Sequence, residues 1–330
     1  MTRKYDVVVI GGGPAGLSAA IESVKNGAST ALIEREERLG GMLKQCIHDG
    51  FGLITFNEKL TGPEFVGRYI DEFESLGIKA YLRSFVTRIE KKPSGYTIAI
   101  VNKDGLSYLE TGAIVLATGC RERTARQVSI HGTRPAGVIT AGAAQNLVNL
   151  HGLKIARRCV ILGSGDIGLI MARRLTLEGC EVLGVYEVKN EPSGLKRNIE
   201  QCLIDYDIPL VLSHTVTRVF GNDRLEKVEI MAVDENLNPV PGSEQYIECD
   251  TLIISVGLIP ENELAESVGV TIDSSTGGPL CDDNLMSDVD GIFACGNCLH
   301  VFNLVDHVAI SGKTAGRSAA LYAKGGNSDD

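Results

Sequence analysis

The chain has no tryptophan and few aromatic residues, 5% in all, and no apolar run approaches the roughly 18 residues that a membrane-spanning helix needs. It also lacks an excess of positive charge, since 32 Lys and Arg stand against 42 Asp and Glu, a formal charge of -10. Nucleic acid and anionic membrane surfaces are therefore not expected partners, because both require a basic face to neutralise phosphates. The N-terminal stretch MTRKYDVVVIGGGPAG carries an apolar segment about one strand long that meets glycines instead of a cleavage site, so no signal peptide is expected. Nine cysteines at irregular spacing, with no export signal, predict reduced thiols in a cytoplasmic protein rather than a disulfide framework. No group of His, Cys and acidic residues has metal-ligand spacing, so no metal is expected.

Glycine is abundant, 38 residues in 330, and its placement organises the chain. The stretch YDVVVIGGGPAGLSAAIESVKNGASTALIERE begins as an apolar, β-branched run and turns on Gly11, Gly13 and Gly16. It continues with Leu17, Ala20, Ile21 and Val24 at helical spacing, then returns to a strand. A strand feeding G-x-G-x-x-G into a helix, with an acid about 20 positions on, is the dinucleotide-binding βαβ pattern. Its glycines let the turn tighten and the backbone approach a pyrophosphate at the helix N-terminus, where amides and the helix dipole favour negative charge. Glu34, 18 positions after Gly16, is placed to accept ribose hydroxyls.

The pattern recurs in RRCVILGSGDIGLIMARRLTLEGCEVLGVYEVKN, with Gly163, Gly165 and Gly168 at the turn, Leu169, Ala172 and Leu175 on the helix face, and Glu187 closing the second strand. Two fingerprints predict two dinucleotides. An acid at the ribose position favours the free 2'-hydroxyl of NAD over the 2'-phosphate of NADP, a preference that Lys189 softens. A solvated strand-end acid is the plainer alternative for Glu187.

Two apolar stretches that end in glycine, GAIVLATGC (112–120) and CDTLIISVGLIPEN (249–262), read as buried parallel strands at a domain crossing. Cutting there predicts an α/β fold of two Rossmann-like dinucleotide-binding domains. One is discontinuous, 1–119 with 256–330, and the other, 120–255, is inserted into it. The polar end, GGNSDD, reads as a frayed tail.

The paired fingerprints, the ATG of Ala117, Thr118 and Gly119, and the late GIFACGN at 291–297 resemble the two-domain flavoproteins of the pyridine nucleotide-disulfide oxidoreductase superfamily in their short, thioredoxin-reductase-like form. The resemblance implies FAD in the discontinuous domain and NAD(H), with NADP the lesser option, in the inserted one. It extends the cofactor-binding set to Pro14, Ala15, Arg35, Gly40, Gly41, Met42, Val86, Asp166, Ile167, Gly257, Gly296 and Val308. The family's late motif ends in glycine-aspartate, whose acid contacts the ribityl chain of FAD. Here the position is Asn297, which still hydrogen-bonds a hydroxyl but lacks the charge. The helix in LVDHVAISGKTAGRSAA would, by resemblance, aim its N-terminus at the flavin ring, and it carries His307 as a candidate catalytic residue. A plain packing helix is the alternative.

A thioredoxin reductase carries C-x-x-C just before its second fingerprint, yet no cysteine lies between Cys120 and Cys159 here, so dithiol chemistry is not expected. The pair Cys295 and Cys298 falls in the ribityl-binding turn and reads mainly as small residues in a tight turn. LGGMLKQCIHDGFG holds Cys46 alone, with His48 two positions on. Cys46 has three readings: a buried structural thiol, a flavin-adjacent catalytic thiol whose thiolate His48 favours, or half of a disulfide. His48 either activates that thiol or makes an ordinary loop hydrogen bond.

At GGMLKQCIHDGFGL and GTRPAGVITAGAAQNLVNLHG the resemblance narrows to the alpha-type flavoprotein subunits of multi-subunit dehydrogenases, such as hydrogen cyanide synthase, opine oxidase, dye-linked proline dehydrogenase and heterotetrameric sarcosine oxidase. At QCIHDGFGL and ACGNCLHVFNLVDHV it narrows further, to an oxidoreductase found beside glycerol-3-phosphate dehydrogenase genes. What this implies is an FAD-dependent, NAD(H)-linked oxidoreductase that serves as electron-transfer subunit of a glycerol-3-phosphate or amino-acid dehydrogenase. Its partners would be a substrate-oxidising flavoprotein dehydrogenase subunit and a small cysteine-containing electron-transfer subunit, with a homo-oligomer as a further option. Two dinucleotide domains fill nearly all 330 residues, so no third domain is expected to orient an organic substrate. A stand-alone NAD(P)H oxidase or reductase of a small acceptor, and a non-catalytic redox sensor, stay open as alternatives. By resemblance, the inserted domain would turn on seams near Gly119 and Gly257 to bring the two rings together.

Overall fold

The structure, a computed structural model, describes residues 3–325; residues 326–330 of the GGNSDD tail lie outside the described residues. The chain separates into two compact units, Met1–Arg121 with Ile259–Asp330, and Glu122–Leu258. Short strands, Cys120–Glu122 and Leu258–Pro260, carry the chain past Gly119 and Gly257, so the divides fall a few residues beyond those glycines.

In the first unit, the β-branched run Val7, Val8, Val9 is buried on both faces, which makes Arg3–Ile10 a central strand. It pairs in parallel with Thr30–Ile33 on one side and with Gly105–Leu116 on the other. Lys79–Tyr81 extends one edge, and Ile292–Ala294, from the far end of the chain, joins Gly105–Leu116 in parallel. Gly95–Asn102 pairs antiparallel with that long strand and Phe85–Lys92 antiparallel with Gly95–Asn102, giving a seven-stranded sheet. Pro14–Lys25, Gly62–Ser75 and Val305–Ala323 are helices that bury Leu17, Phe65, Phe73 and Ala315 against one face. Thr61 and Glu64 close a capping box at the second of these, with the Thr61 N–H donating to Glu64 Oε2 at 2.8 Å.

The first and last of these helices touch through small residues. Gly312 and Gly316 face Ala15 and Ala19 so closely that a Cβ at either would overlap a carbonyl oxygen. The same seam is hydrogen-bonded, with Ser18 Oγ donating to the Ala309 carbonyl at 2.7 Å and Ser23 Oγ to that of Gly316 at 2.9 Å.

The second unit holds a five-stranded parallel sheet in the order Val138–Thr140, Thr251–Ile254, Arg158–Leu162, Glu181–Glu187, Leu210–Leu212. Helices Ala141–Asn149 and Asp166–Leu177 bury Ala144, Val148, Leu169, Ala172 and Leu175 on one face. A four-stranded sheet that includes His214–Gly221 and Leu225–Ala232 covers the other, packing Val216, Val228 and Ile230 against Val160, Leu162 and Ile254. Cys159 and Cys180 are buried with their sulfurs 3.5 Å apart, at the end of their strands away from the Gly163 turn; no disulfide links the described cysteines. No described helix is long and apolar enough to cross a membrane.

Candidate functional site

The first fingerprint forms the turn between Arg3–Ile10 and Pro14–Lys25. Gly11 has φ +112°, and a Cβ there would overlap the Ala117 carbonyl. A Cβ at Gly16 would overlap the carbonyl of Gly11, so that position admits no side chain. Pro14 occupies the opening of the helix, where a missing N–H costs nothing. The loop after the second strand returns to this turn, with the Gly40 N–H donating to the Gly12 carbonyl at 2.8 Å and Gly41 passing close to Gly13. Glu34 is 7% exposed; its Oε2 accepts the Gly12 N–H at 2.6 Å and its Oε1 the Glu36 N–H at 2.8 Å.

The second fingerprint repeats this geometry. Gly163 has φ +99°, and its Cβ would overlap the Ser255 carbonyl, while a Cβ at Gly168 would stand 2.5 Å from the Gly163 oxygen. Glu187 is 4% exposed, and its Oε2 accepts the Ser164 N–H at 3.0 Å, the counterpart of the bond between Gly12 and Glu34. Three further donors converge on the same carboxylate: Ser164 Oγ at 2.5 Å, Ser193 Oγ at 3.2 Å and the Lys189 N–H at 3.1 Å. Burial alone would raise this carboxyl, but the bonds from Ser164, Lys189 and Ser193 outweigh it and hold it below the usual carboxylate range. Around Gly165 a Cβ would meet open space. Asp166 Oδ1 accepts the Leu195 N–H at 2.8 Å and Asn198 Nδ2 at 2.7 Å, so its side chain ties down the segment after the second strand. Ile167 follows, partly buried, on the helix.

Of the other expected positions, Ala117 is buried beside the first turn, with its N–H donating to the Ile10 carbonyl at 2.8 Å. Thr118 Oγ1 donates to the Glu261 carbonyl at 2.6 Å. Gly119 and Gly257 have positive φ, +77° and +99°. Gly296 and Asn297 lie in a short 3-10 turn, Gly296–Cys298. Asn297 Oδ1 accepts the Phe302 N–H at 3.2 Å, and its Nδ2 approaches Cys120 Sγ at 3.6 Å. Val86 is partly buried on Phe85–Lys92, Val308 is buried, and Arg35 and Met42 are exposed.

Cys46 ends the 3-10 turn Gly41–Gln45, with Sγ 3.3 Å from the Met42 carbonyl, and burial pushes its thiol up to about 12. Desolvation works against the thiolate of the flavin-adjacent reading, one of the three that the sequence leaves open. His48 instead tilts against Phe51, centroids 4.9 Å apart, and its Nδ1 lies 3.1 Å from the Asp49 carbonyl. At the last helix, His307 is exposed, whereas its neighbour Asp306 is 2% exposed and accepts the N–H groups of Gly52 at 3.3 Å and Thr55 at 2.8 Å. Asp306, Ser164 and Ser193 were not among the expected site residues. The one local signal was an acid in a helix's first turn, which favours Asp306. Cys295 and Cys298 are fully buried, and burial raises both thiols, as expected of packing residues.

Each unit therefore offers a turn that a Cβ would fill and, next to it, a buried carboxylate held by the turn's own N–H. This fits a dinucleotide twice over and defines an α/β enzyme built around two of them. The chain matches the pyridine nucleotide-disulphide oxidoreductase family over residues 5–315 and belongs to it. Proteins of this family bind FAD and NAD(P)H. It is 27% identical over 296 residues to hydrogen cyanide synthase subunit HcnB of Pseudomonas protegens, covering 83% of this chain and 61% of the relative. It is 25% identical over 339 residues to an opine oxidase subunit of Agrobacterium tumefaciens, covering 97% and 65%. The chain thus spans less than two thirds of the length of either relative. In fold it is similar to T. acidophilum thioredoxin reductase, with a TM-score of 0.76 at 22% identity over 98% of this chain and 99% of that one.

Proposed function

We propose that this chain is a cytoplasmic electron-transfer subunit of a multi-subunit dehydrogenase, with FAD in the first unit and NAD(H) in the second. The observation that carries the reading is the repeated cradle without a cysteine pair at either turn among the described residues. Cys46 is the one cysteine of its loop, Cys295 and Cys298 are packed in the core, and Cys159 and Cys180 lie at the opposite end of their strands from Gly163. A stand-alone dithiol reductase would need such a pair beside the flavin. Two of the relatives are themselves named as subunits, of hydrogen cyanide synthase and of opine oxidase.

The bound cofactors would supply hydride transfer between nicotinamide and flavin. The chain's own residues bind and orient them. In this reading the amides around Gly12 and Gly13 hold one pyrophosphate and those around Gly165 and Asp166 the other, Glu34 and Glu187 receive ribose hydroxyls, and Asn297 hydrogen-bonds the ribityl chain. The partners proposed are a substrate-oxidising flavoprotein subunit and a small cysteine-containing electron carrier, with the substrate of glycerol-3-phosphate or amino-acid type.

Gentle purification of the tagged chain from its own cells tests the reading. A yellow complex with a second dehydrogenase subunit, its flavin bleached by NADH in the absence of oxygen, is expected. A chain that purifies alone and turns over NADH rapidly with a defined small acceptor would show that it works unaided. Cys46→Ser is expected to leave flavin reduction by NADH unchanged, as a packing thiol should.

A further inference from the structure

We infer that Ser193 sets which pyridine nucleotide the second cradle accepts, by fixing the Glu187 carboxylate where a ribose 2'-hydroxyl donates to it and a 2'-phosphate is repelled. The inference rests on the reading that this cradle holds NAD(H).

The two cradles differ in one respect. At Glu34 each carboxylate oxygen receives one backbone N–H, at 2.6 Å and 2.8 Å, and hydroxyls play no part. At Glu187, Oε2 receives the Ser164 N–H, Ser164 Oγ and Ser193 Oγ, while Oε1 receives the Lys189 N–H alone. An ionised carboxylate has about four acceptor positions, so Oε2 is saturated and Oε1 keeps one. A ribose hydroxyl can fill that position. A phosphate, mostly dianionic at neutral pH, meets a buried anion instead.

Ser193 is held in place by the fingerprint itself. Its N–H donates to Ser164 Oγ at 2.9 Å, and two residues on, the Leu195 N–H donates to Asp166 at 2.8 Å. Gly194 passes so close to the turn that a Cβ would stand 2.6 Å from Leu169 Cδ1 and 2.8 Å from the Ser164 carbonyl oxygen. The segment is thus fastened over the turn, and Ser193 Oγ is the link from it to Glu187. The flanking residues Lys189, Lys196 and Arg197 are exposed and are the cations a 2'-phosphate would seek. Loss of the Ser193 hydroxyl loosens the carboxylate and lets those cations compete.

The test is direct titration of the flavin-loaded protein, its flavin reduced beforehand and oxygen excluded, with NADH and with NADPH, followed by nicotinamide fluorescence, for wild type, S193A, S193T and E187Q. Ser193 is exposed, so alanine leaves the fold intact. S193A is expected to weaken NADH by about threefold to tenfold with NADPH unchanged or tighter, the scale of one ordinary hydrogen bond, since the lost hydroxyl acts on the nucleotide only through Glu187. S193T is expected to restore the ratio. If S193A keeps the wild-type ratio of affinities while E187Q changes it, Ser193 is not the determinant although the cradle is read correctly. If E187Q also leaves the ratio unchanged, the assignment of Glu187 to the nucleotide fails with it.

Discussion

A methyl group added at Gly16 has nowhere to go, because it lands on the carbonyl of Gly11. Gly16→Ala is expected to destabilise the protein by about 1–3 kcal/mol and to lower the flavin content of the purified chain, read from the ratio of visible to ultraviolet absorbance. Gly165→Ala is the opposite case. Its backbone, φ -64° and ψ 161°, suits alanine, and the new methyl meets open space. Its thermal midpoint should match wild type while nicotinamide binding weakens, and unchanged binding would remove that turn from the nucleotide site. Gly11, Gly16, Gly163 and Gly168 were legible in the sequence because a carbonyl that close tolerates no other residue, whatever lies elsewhere in the fold. Asp306 was not legible. Its partner Thr55 lies 251 positions earlier, and no local spacing announces a contact that only the finished packing creates. Replacing Asp306 with Ala strands two N–H groups and is expected to cost about 1–3 kcal/mol in urea unfolding, against little effect from His307→Ala at an exposed position.

Between elements, the tightest seam joins Pro14–Lys25 to Val305–Ala323, where Gly316 presses on Ala19 and Ser23 Oγ reaches the Gly316 carbonyl. Gly316→Val drives a branched side chain into that contact. It is expected to lower stability by about 1–3 kcal/mol and to loosen the first turn, seen as flavin lost on dilution. A stable, fully flavinated variant would show that the seam has slack. Helix and strand identities in both fingerprints followed from periodicity, since Leu17, Leu169, Ala172 and Leu175 are all buried as their spacing requires. The antiparallel partners of Gly105–Leu116 were not anticipated. Strand pairing there depends on where a hairpin closes, and residues 85–102 carry no fingerprint to mark it.

For the molecule as a whole, buried weak acids shape the response at high pH. Burial pushes the thiols of Cys46 and Cys281 up to about 12 and that of Cys249 to about 11, from an ordinary 9.0. It likewise pushes the phenols of Tyr69 and Tyr96 to about 12 from 10.0. Each group ionises more readily unfolded than folded. Its contribution to stability is intact below the unfolded value and is lost as pH rises through the interval toward the folded one. The thermal midpoint should fall progressively from about pH 9 toward pH 12, and a flat profile across that range would contradict the burial described.

The first unit's sheet and helical layer are both completed by residues that come last in the chain, Ile292–Ala294 and Val305–Ala323. A ribosome therefore finishes the inserted unit while the flanking one still waits for its final strand and helix. On the proposed assignment of cofactors, nascent chains stalled before residue 292 should take up nicotinamide yet remain uncoloured, because they lack that strand and helix.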